Sequence, residues 1–310
     1  MSSTGFSVKG QKVIIGTSES IKGVKEGSID LIVTSPPYWN LKDYGHEEQI
    51  GAESYEIYLE RLNTVWSECF RLGSDKSVMA INIGNRRHKK VFYPIGLDIA
   101  DKIAGWKLWD IVIWYVPNAL PQPNYYMERL FDNKFEFVLI FTKDGNTDYE
   151  FHKPRVPQKY RDADPRSHNK NPRGRCLGNI IRIPAYKPPN VKQLGYHTAA
   201  FPEELVAFLL ECYTSPGGTV LDPFLGSGTT LKVANHMGRK GVGVELNPDY
   251  TDLIRKRINE PFEMPDWKDL DLIHSSTTDT GMTKSRKIHL VRDIHTEDDN
   301  SDDVTQNPMF

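Results

Sequence analysis

Residues 221–230 read Leu-Asp-Pro-Phe-Leu-Gly-Ser-Gly-Thr-Thr, and the apolar residues 219–221 that lead into them predict a buried strand. The strand ends at the carboxylate of Asp222, and the chain then turns through two glycines into a helix predicted to begin near Thr229. Glycine permits positive φ angles and a close approach of the backbone to a ligand, and a helix start presents free N–H groups. The stretch therefore predicts a nucleoside-binding loop at the carboxyl edge of a sheet.

A second acid supports this interpretation. Glu245 follows the next apolar run, residues 241–244, and an acid roughly 20 residues beyond the first strand suits hydrogen bonding to ribose hydroxyls. A dinucleotide motif would need a third glycine, but Leu231 stands at that position. The alternative is a glycine-rich turn that only packs a helix on the sheet, and the paired acid argues against it.

A second motif lies far upstream. Residues 34–39 read Thr-Ser-Pro-Pro-Tyr-Trp and follow the apolar run 29–33. The two prolines fix the backbone and remove two donors, so the loop offers carbonyl oxygens and the Ser35 hydroxyl as acceptors. Such acceptors can hold the exocyclic amine of a base and stabilise the positive charge that grows during methyl transfer, while Tyr38 stacks on the base. The alternative is an ordinary Ser-Pro turn after a strand.

Apolar periodicity predicts an α/β fold with a mostly parallel sheet and covering helices, because strands and helices alternate along the chain. The predicted strands are residues 12–15, 29–33, 78–83, 109–115, 135–141, 219–221 and 241–244. The predicted helices are residues 55–72, 95–104 and 202–212.

Composition narrows the class of protein. The chain has 310 residues, a net charge of -2 and three cysteines. Cys69, Cys176 and Cys212 are odd in number and far apart, so neither a disulfide framework nor a metal site is expected. We find no apolar signal sequence or membrane-length apolar run, which predicts a soluble protein of the reducing cytoplasm.

The near-neutral total charge hides a basic region at residues 152–192, which has eleven Lys and Arg against two Asp. This excess favours contact with a polyanion over a merely solvated surface. The candidate DNA-binding residues are Arg155, Lys159, Arg161, Arg166, Lys170, Arg173 and Arg175. Beyond residue 261 the chain is polar and acidic, and it is predicted to be poorly ordered.

The order of these features resembles the β-type amino-group DNA methyltransferases of restriction-modification systems, over residues 13–259. In that family a (Ser/Asp/Asn)-Pro-Pro-(Tyr/Phe) motif comes first, a target-recognition region follows, and the S-adenosylmethionine motif comes last. The resemblance implies a Rossmann-like methyltransferase fold with a circularly permuted motif order and an inserted target-recognition region. Its sheet would be mostly parallel and seven-stranded with one antiparallel strand, and the strands before Ser35 and Asp222 would be neighbours.

The resemblance also implies a division of the chain. Residues 1–151 would form the catalytic half of the methyltransferase domain, and residues 152–195 the basic target-recognition region. Residues 196–260 would form the cofactor-binding half, and residues 261–310 the tail.

Residue roles follow from the same resemblance. The implied catalytic residues are Ser35, Pro36, Pro37 and Tyr38. The implied S-adenosyl-L-methionine contacts are Asp222, Pro223, Phe224, Gly226, Gly228, Thr229, Glu245, His197, Thr198, Phe201 and Thr17. Two of these depart from the family pattern, since Thr198 replaces a usual proline and Thr17 a usual aspartate.

Ser35 bears on the base that is methylated. Family members with Ser-Pro-Pro-Tyr mostly modify cytosine N4, and those with Asp-Pro-Pro-Tyr mostly modify adenine N6. The implied activity is methylation of a flipped-out cytosine in duplex DNA, with adenine N6 as the alternative. The implied partners are duplex DNA and a cognate restriction endonuclease, for a monomer or dimer. A DNA-binding regulator without activity, and a methyltransferase acting on RNA or protein, remain as further alternatives.

Overall fold

A central mixed sheet organises the computed structural model, which describes residues 4–41, 45–122, 126–156, 174–185 and 201–272. The strands are β1 Thr4–Val8, β2 Gln11–Ile15, β3 Ile29–Thr34, β4 Gly73–Ile83, β5 Arg86–His88, β6 Val91–Tyr93, β7 Trp106–Tyr115, β8 Phe135–Lys143, β9 Arg155–Val156, β10 Arg175–Cys176, β11 Ile180–Arg182, β12 Thr219–Asp222 and β13 Lys240–Glu245. The helices are α1 Tyr55–Leu72, α2 Ile95–Lys102, α3 Glu203–Tyr213, α4 Thr229–His236 and α5 Thr251–Asn259, with a 3-10 helix at Pro248–Tyr250.

Nine strands of the described residues form the sheet, in the order β1-β2-β13-β12-β3-β4-β8-β7-β11. From β2 to β7 this is a seven-stranded sheet in which only β8 runs antiparallel to the rest, which confirms the predicted fold class. The structure adds two edge strands that were not predicted, the antiparallel β1 and the parallel β11.

Distant parts of the chain interleave in the sheet. The late strands β12 and β13 lie between β2 and β3, with Val220 beside Leu31 and Val242 beside Lys12. The strands before the two sequence motifs are therefore neighbours, as the resemblance implied. Because they run parallel, their carboxyl ends meet at one edge, where α/β proteins bind ligands.

Apolar helix faces cover both sides of the sheet. Helix α1 starts at the N-cap Ser54, whose hydroxyl accepts a hydrogen bond from the Ile57 N–H, and buries residues such as Leu62 and Trp66 against one face. Helices α3 and α4 cover the other face. Strands buried on both faces need continuous apolar runs, and β3 and β12 have them.

The folded part extends beyond the predicted boundary at residue 260. Leu270 is buried and its carbonyl accepts a hydrogen bond from the Arg182 N–H at 2.9 Å. The Trp267 ring lies 6.3 Å from the Phe208 ring. The prediction of a poorly ordered tail was therefore wrong for residues 261–272, because these apolar side chains within a polar stretch pack on the core. Residues 273–310 lie outside the described residues.

Candidate active site

Both sequence motifs line one cavity at the carboxyl edge of the sheet. Its wall is formed by Thr17, Ser18, Ser35, Pro36, Pro37, Tyr38, Glu48, Gln49, Ile50, Arg61, Phe201, Pro223, Phe224, Leu225, Gly226, Ser227, Thr229, Val244, Glu245, Leu246 and Tyr250. Two loops from distant parts of the chain thus face one space. The register of β3 beside β12 explains the meeting, since each loop leaves the end of one of these paired strands.

Asp222 lies beneath the cavity and is absent from its wall. Its side chain is buried, and one carboxylate oxygen accepts hydrogen bonds from the Thr34 hydroxyl at 2.8 Å and the Phe224 N–H at 3.0 Å. The other oxygen accepts from the Thr230 hydroxyl at 2.5 Å. Burial raises the pKa of Asp222 to about 6, although these hydrogen bonds oppose the rise. The carboxylate joins the glycine-rich loop to the residue before Ser35.

Glu245 lies on the cavity wall itself. Its carboxylate accepts hydrogen bonds from the Gly226 N–H at 2.8 Å and the Asn247 N–H at 2.9 Å. Burial raises the pKa of Glu245 to about 7. The Leu246 N–H also donates a hydrogen bond to this carboxylate. An ionised carboxylate has about four acceptor positions, so one remains for a ribose hydroxyl.

The glycine-rich loop uses the conformational freedom that its sequence predicted. Gly226 and Gly228 have φ angles of 53° and 96°, and Gly228 is the N-cap of α4. The Phe224 ring stands on Trp66, edge to face, with 6.1 Å between ring centroids. Glycines without side chains and a half-buried aromatic ring give a flat apolar platform beside Glu245.

On the opposite wall, Ser35 presents its hydroxyl without competition. Among the described residues, none forms a hydrogen bond with the Ser35 side chain. Pro36 is buried, and the Pro37 carbonyl accepts a hydrogen bond from the Tyr58 hydroxyl at 2.9 Å. The loop is therefore held from behind while its hydroxyl remains available to a ligand.

The Tyr38 hydroxyl forms hydrogen bonds with residues far from the Ser-Pro-Pro-Tyr motif in the sequence. It accepts a hydrogen bond from the Gly84 N–H at 3.0 Å and is bonded to the Glu136 carboxyl group. Glu136 also accepts from the Asn82 amide at 2.9 Å. Burial raises the pKa of Glu136 to about 7 against the effect of both hydrogen bonds. One signal was visible, because Asn82 and Glu136 are isolated polar residues within apolar strands β4 and β8.

Residues 48–50 also line the cavity, and the sequence pattern did not predict them. The Arg61 guanidinium is bonded to Glu19 at 2.6 and 3.0 Å and donates to the carbonyls of Glu48 and Gln49. Planar guanidinium groups suit such bidentate contacts. Arg61 thereby ties the loop after the catalytic motif to α1, and its position in a helix offered no sequence signal for this role.

The remaining predicted cofactor residues divide into two groups. Thr17 and Phe201 lie on the cavity wall, and the neighbouring Ser18 hydroxyl donates to the Pro223 carbonyl. His197 and Thr198 lie outside the described residues.

Most of the candidate DNA-binding residues lie outside the described residues. These are Lys159, Arg161, Arg166, Lys170 and Arg173. Arg155 belongs to β9 and donates to the Gly174 carbonyl at 3.2 Å, while the backbone of Arg175 in β10 pairs with Val156. Arg155 does not belong to the cavity wall. No helix of the described residues is long and apolar enough to cross a membrane.

Comparison with known proteins agrees with this geometry. The family model described as DNA methylase, of the N6/N4 type, matches residues 29–256. The type II methyltransferase M.Cfr9I of Citrobacter freundii is 32% identical over 270 residues, covering 77% of this chain and 84% of the relative. The type II methyltransferase M.SmaI of Serratia marcescens is 31% identical, covering 80% and 90%.

Two solved structures share the fold. The cytosine-N4-specific PvuII DNA methyltransferase superposes with a TM-score of 0.62 at 19% identity, covering 84% of this chain and 89% of that one. A Thermus thermophilus protein assigned as a DNA modification methylase, TTHA0409, was solved in complex with S-adenosyl-L-methionine. It gives a TM-score of 0.51 at 26% identity and covers 81% of this chain and 98% of that one.

S-adenosyl-L-methionine is the methyl donor of this family, and the cavity fits it. On the cavity wall, Glu245 would offer an acceptor for a ribose hydroxyl, Phe224 an aromatic surface for an adenine ring, and Gly226 room for close approach, whereas Gly228 is absent from the wall. The motif order, the permuted sheet and a family match across most of the chain lead to one conclusion. The chain belongs to the N6/N4 DNA methylase family.

Proposed function

We propose that this chain is a sequence-specific DNA methyltransferase that modifies the exocyclic N4 amine of a flipped-out cytosine in duplex DNA. One observation carries the proposal: Ser35 to Tyr38 line the same cavity as residues 223–227, Thr229 and Glu245. An acceptor amine and a methyl donor bound at these walls would face each other across a single space. Direct transfer needs such proximity and no covalent enzyme intermediate.

The methyl donor would be held by Glu245, Phe224 and Gly226, which lie on the cavity wall, while Gly228 begins α4 behind them. Bound there, S-adenosyl-L-methionine supplies an electrophilic methyl group. Glu245 would accept a hydrogen bond from a ribose hydroxyl, and Phe224 would pack on the adenine ring. Asp222 acts one layer below, because its hydrogen bonds fix the loop that carries Phe224.

The acceptor side would be held by the catalytic loop. The Ser35 hydroxyl and the Pro36 carbonyl accept hydrogen bonds from the two N–H groups of the amine, which favours a pyramidal, nucleophilic nitrogen. The same acceptors stabilise the positive charge that develops on nitrogen. Tyr38 stacks on the base, and because the amine lies inside the duplex, the nucleotide has to be flipped out to reach the loop.

Cytosine is favoured over adenine by Ser35, since family members with serine at this position mostly modify cytosine N4. The names of M.Cfr9I and M.SmaI as type II methyltransferases suggest the biological role. We propose that methylation protects DNA from a cognate restriction endonuclease that cleaves the same sequence.

The test is to methylate a plasmid with the purified chain and tritiated donor, then digest the DNA and identify the labelled nucleoside by chromatography and mass spectrometry. Single-molecule sequencing of the plasmid locates the site. We expect N4-methylcytosine at one short sequence. N6-methyladenine as the sole product would contradict the choice of base. A chain that binds the donor but labels no duplex would contradict the activity, and parallel reactions with RNA and protein acceptors would reveal another substrate.

A further inference from the structure

A short hairpin outside the basic region 152–192 carries a dense positive charge. Strands β5 and β6 pair antiparallel, with Arg87 opposite Phe92. Residues 86–90 read Arg-Arg-His-Lys-Lys, and the surrounding residues 84–97 contain no Asp or Glu. Arg86 is buried, whereas Arg87, Lys89 and Lys90 are partly or fully exposed. Three exposed or partly exposed cations this close together are typical of a surface that attracts a polyanion.

The hairpin is attached directly to the catalytic loop. It follows Gly84, whose N–H binds the Tyr38 hydroxyl. The Arg86 guanidinium donates to the Asn40 carbonyl at 2.8 Å, and the Asn40 amide lies 3.2 Å from the His88 ring. Since β4 runs parallel to β3, the hairpin leaves the same sheet edge as the cavity.

Trp39 packs against the hairpin instead of entering the cavity. Its ring lies 4.5 Å from the Tyr93 ring and 5.4 Å from the His88 ring, and its indole N–H donates to the Glu53 carbonyl. The residue after Tyr38 thereby fixes the hairpin beside the cavity. The base of the hairpin therefore lies beside the loop that carries Tyr38.

Arg86 is a buried cation, and only part of its guanidinium group is hydrogen-bonded. Only 5% of it is exposed, and its Nε and Nη1 atoms have no hydrogen-bond partner among the described residues. Burial lowers the pKa of Arg86. An unpaired buried charge is unfavourable, and an anion bound nearby would reduce its cost.

The turn at the tip of the hairpin contains two lysines at positions where other residue types would give a more stable turn. Lys89 and Lys90 have φ angles of 46° and 65°, and both are exposed. A two-residue turn with positive φ at both positions favours Asn-Gly, and other side chains are strained there. The charges are thus presented at an energetic cost to the turn.

We propose that the β5–β6 hairpin is a DNA-backbone contact, in which Lys89 and Lys90 bind phosphates next to the base that enters the cavity. This inference rests on the proposed function, because it takes duplex DNA as the substrate. Phosphate contacts position a protein on DNA without reading its sequence. The hairpin would therefore contribute affinity for any duplex, and the choice of target sequence would lie elsewhere.

The decisive variant is Lys89→Asn/Lys90→Gly, which removes two charges and installs the preferred turn sequence, so the hairpin is preserved. The matched control is Lys9→Asn/Lys107→Gln. Lys9 also has a positive φ, of 48°, in a turn, and Lys107 is exposed near the start of β7. Both control residues lie at the opposite edge of the sheet, because they stand at the amino ends of strands parallel to β3.

The measurement is the equilibrium constant for binding a target-containing duplex by fluorescence anisotropy, from 50 to 200 mM salt, for wild type and both variants. For the hairpin variant we expect binding weaker by roughly tenfold or more. Its plot of log affinity against log salt should be less steep by about 1.8, because each phosphate contact contributes about 0.9. The control should keep the wild-type slope.

Two results would overturn the inference. One is a wild-type slope in the hairpin variant, and the other is an equal loss of slope in the control, which would indicate a general effect of net charge. A wild-type chain that binds no duplex would instead refute the proposed function, and the hairpin proposal with it. Donor binding by calorimetry, which is independent of DNA, verifies that each variant is folded.

Discussion

The two sides of the cavity are built differently. The donor side takes its acid, its glycines and most of its supporting hydrogen bonds from residues 222–247, so that Glu245 binds Gly226 and Asp222 binds Phe224. Thr34 and Ser18 add side-chain hydrogen bonds to this side from elsewhere in the chain. The acceptor side takes only its reactive groups from residues 35–38. Its supports are Tyr58, Gly84 and Glu136, which come from α1, the end of β4 and β8.

The two sides differ in where the residues that contact a ligand and the residues that hold them in place lie in the sequence. On the donor side a short stretch of sequence contains the groups proposed to contact a ligand and most of the hydrogen-bonding groups that hold them. On the acceptor side the contacting groups are contiguous, but the groups that hold them are distributed over about a hundred residues. A substitution on one side is therefore expected to leave the other side's binding step intact.

Ser35→Ala should give the largest effect and should affect the acceptor side alone. Loss of one acceptor at the reacting nitrogen is expected to slow methyl transfer by roughly 10²- to 10³-fold. Single-turnover incorporation of tritium at saturating donor and duplex measures the rate, and calorimetry should show unchanged donor affinity. Ser67→Ala, on the exposed face of α1, is the control. Transfer within a few-fold of wild type would remove Ser35 from the mechanism.

Glu245→Gln should affect the donor side alone. Hydrogen bonds to a charged group are worth about 1.5–3 kcal/mol, so donor affinity should fall roughly 10- to 100-fold while duplex affinity stays unchanged. Because burial raises the pKa of Glu245 to about 7, the carboxylate forms as pH rises through that value. Wild-type donor affinity should therefore increase from pH 6 to 8.

Calorimetry at pH 6, 7 and 8 measures both effects. The Gln variant should show little pH dependence, since its amide does not titrate. A pH dependence that persists unchanged in the variant would assign it to another group, such as Asp222, whose pKa is about 6.

Glu136→Leu tests the distant support of the acceptor side. The Tyr38 hydroxyl would lose one partner, and a hydrogen bond worth about 1 kcal/mol corresponds to a loss of kcat of roughly five- to tenfold. KM for the donor should not change. Glu136→Gln keeps an acceptor oxygen, so it should restore most of the rate. A similar loss in both variants would mean that the charge of Glu136, rather than its hydrogen bond to Tyr38, is required.

Gly228→Ala should have the smallest effect. With a φ of 96°, an alanine side chain is strained, and the unfolding free energy should fall by about 1 kcal/mol. Gly217, with a φ of 91°, lies in a turn away from the cavity, so Gly217→Ala should cause a similar loss of stability. Chemical denaturation measures both, and only the Gly228 variant should also bind the donor more weakly. Equal donor affinities would show that the loop tolerates a side chain.

The seven inner strands and both motifs were predictable because each depends on a contiguous pattern, such as the apolar run before Asp222. The edge strands β1 and β11 were not, because they are short and weakly patterned. The position of the candidate site was predictable for the same reason. Ser35 and Glu245 stand at the ends of predicted strands, and both lie on the cavity wall. The direct roles of these residues remain predictions.

Long-range contacts explain what was missed. The bond between Tyr38 and Glu136 joins residues about a hundred positions apart, and no local pattern encodes such a pairing. Asp222 shows the converse, since its motif indicated a ligand contact but its carboxylate is occupied by Thr34, Thr230 and Phe224. Side-chain type and spacing identify a functional group, whereas the direction in which it points depends on the packing of neighbouring strands.

The insertion of β12 and β13 between β2 and β3 has a consequence for biosynthesis. When the ribosome has completed β3, neither β2 nor β3 has its late partner, and about two hundred further residues must be translated before Glu245 appears. At about 5–20 residues per second this interval lasts roughly 10–40 s. During it the nascent chain exposes apolar strand edges, which favour intermolecular pairing. Chaperone capture during translation should therefore determine the yield of this protein more than its final stability does.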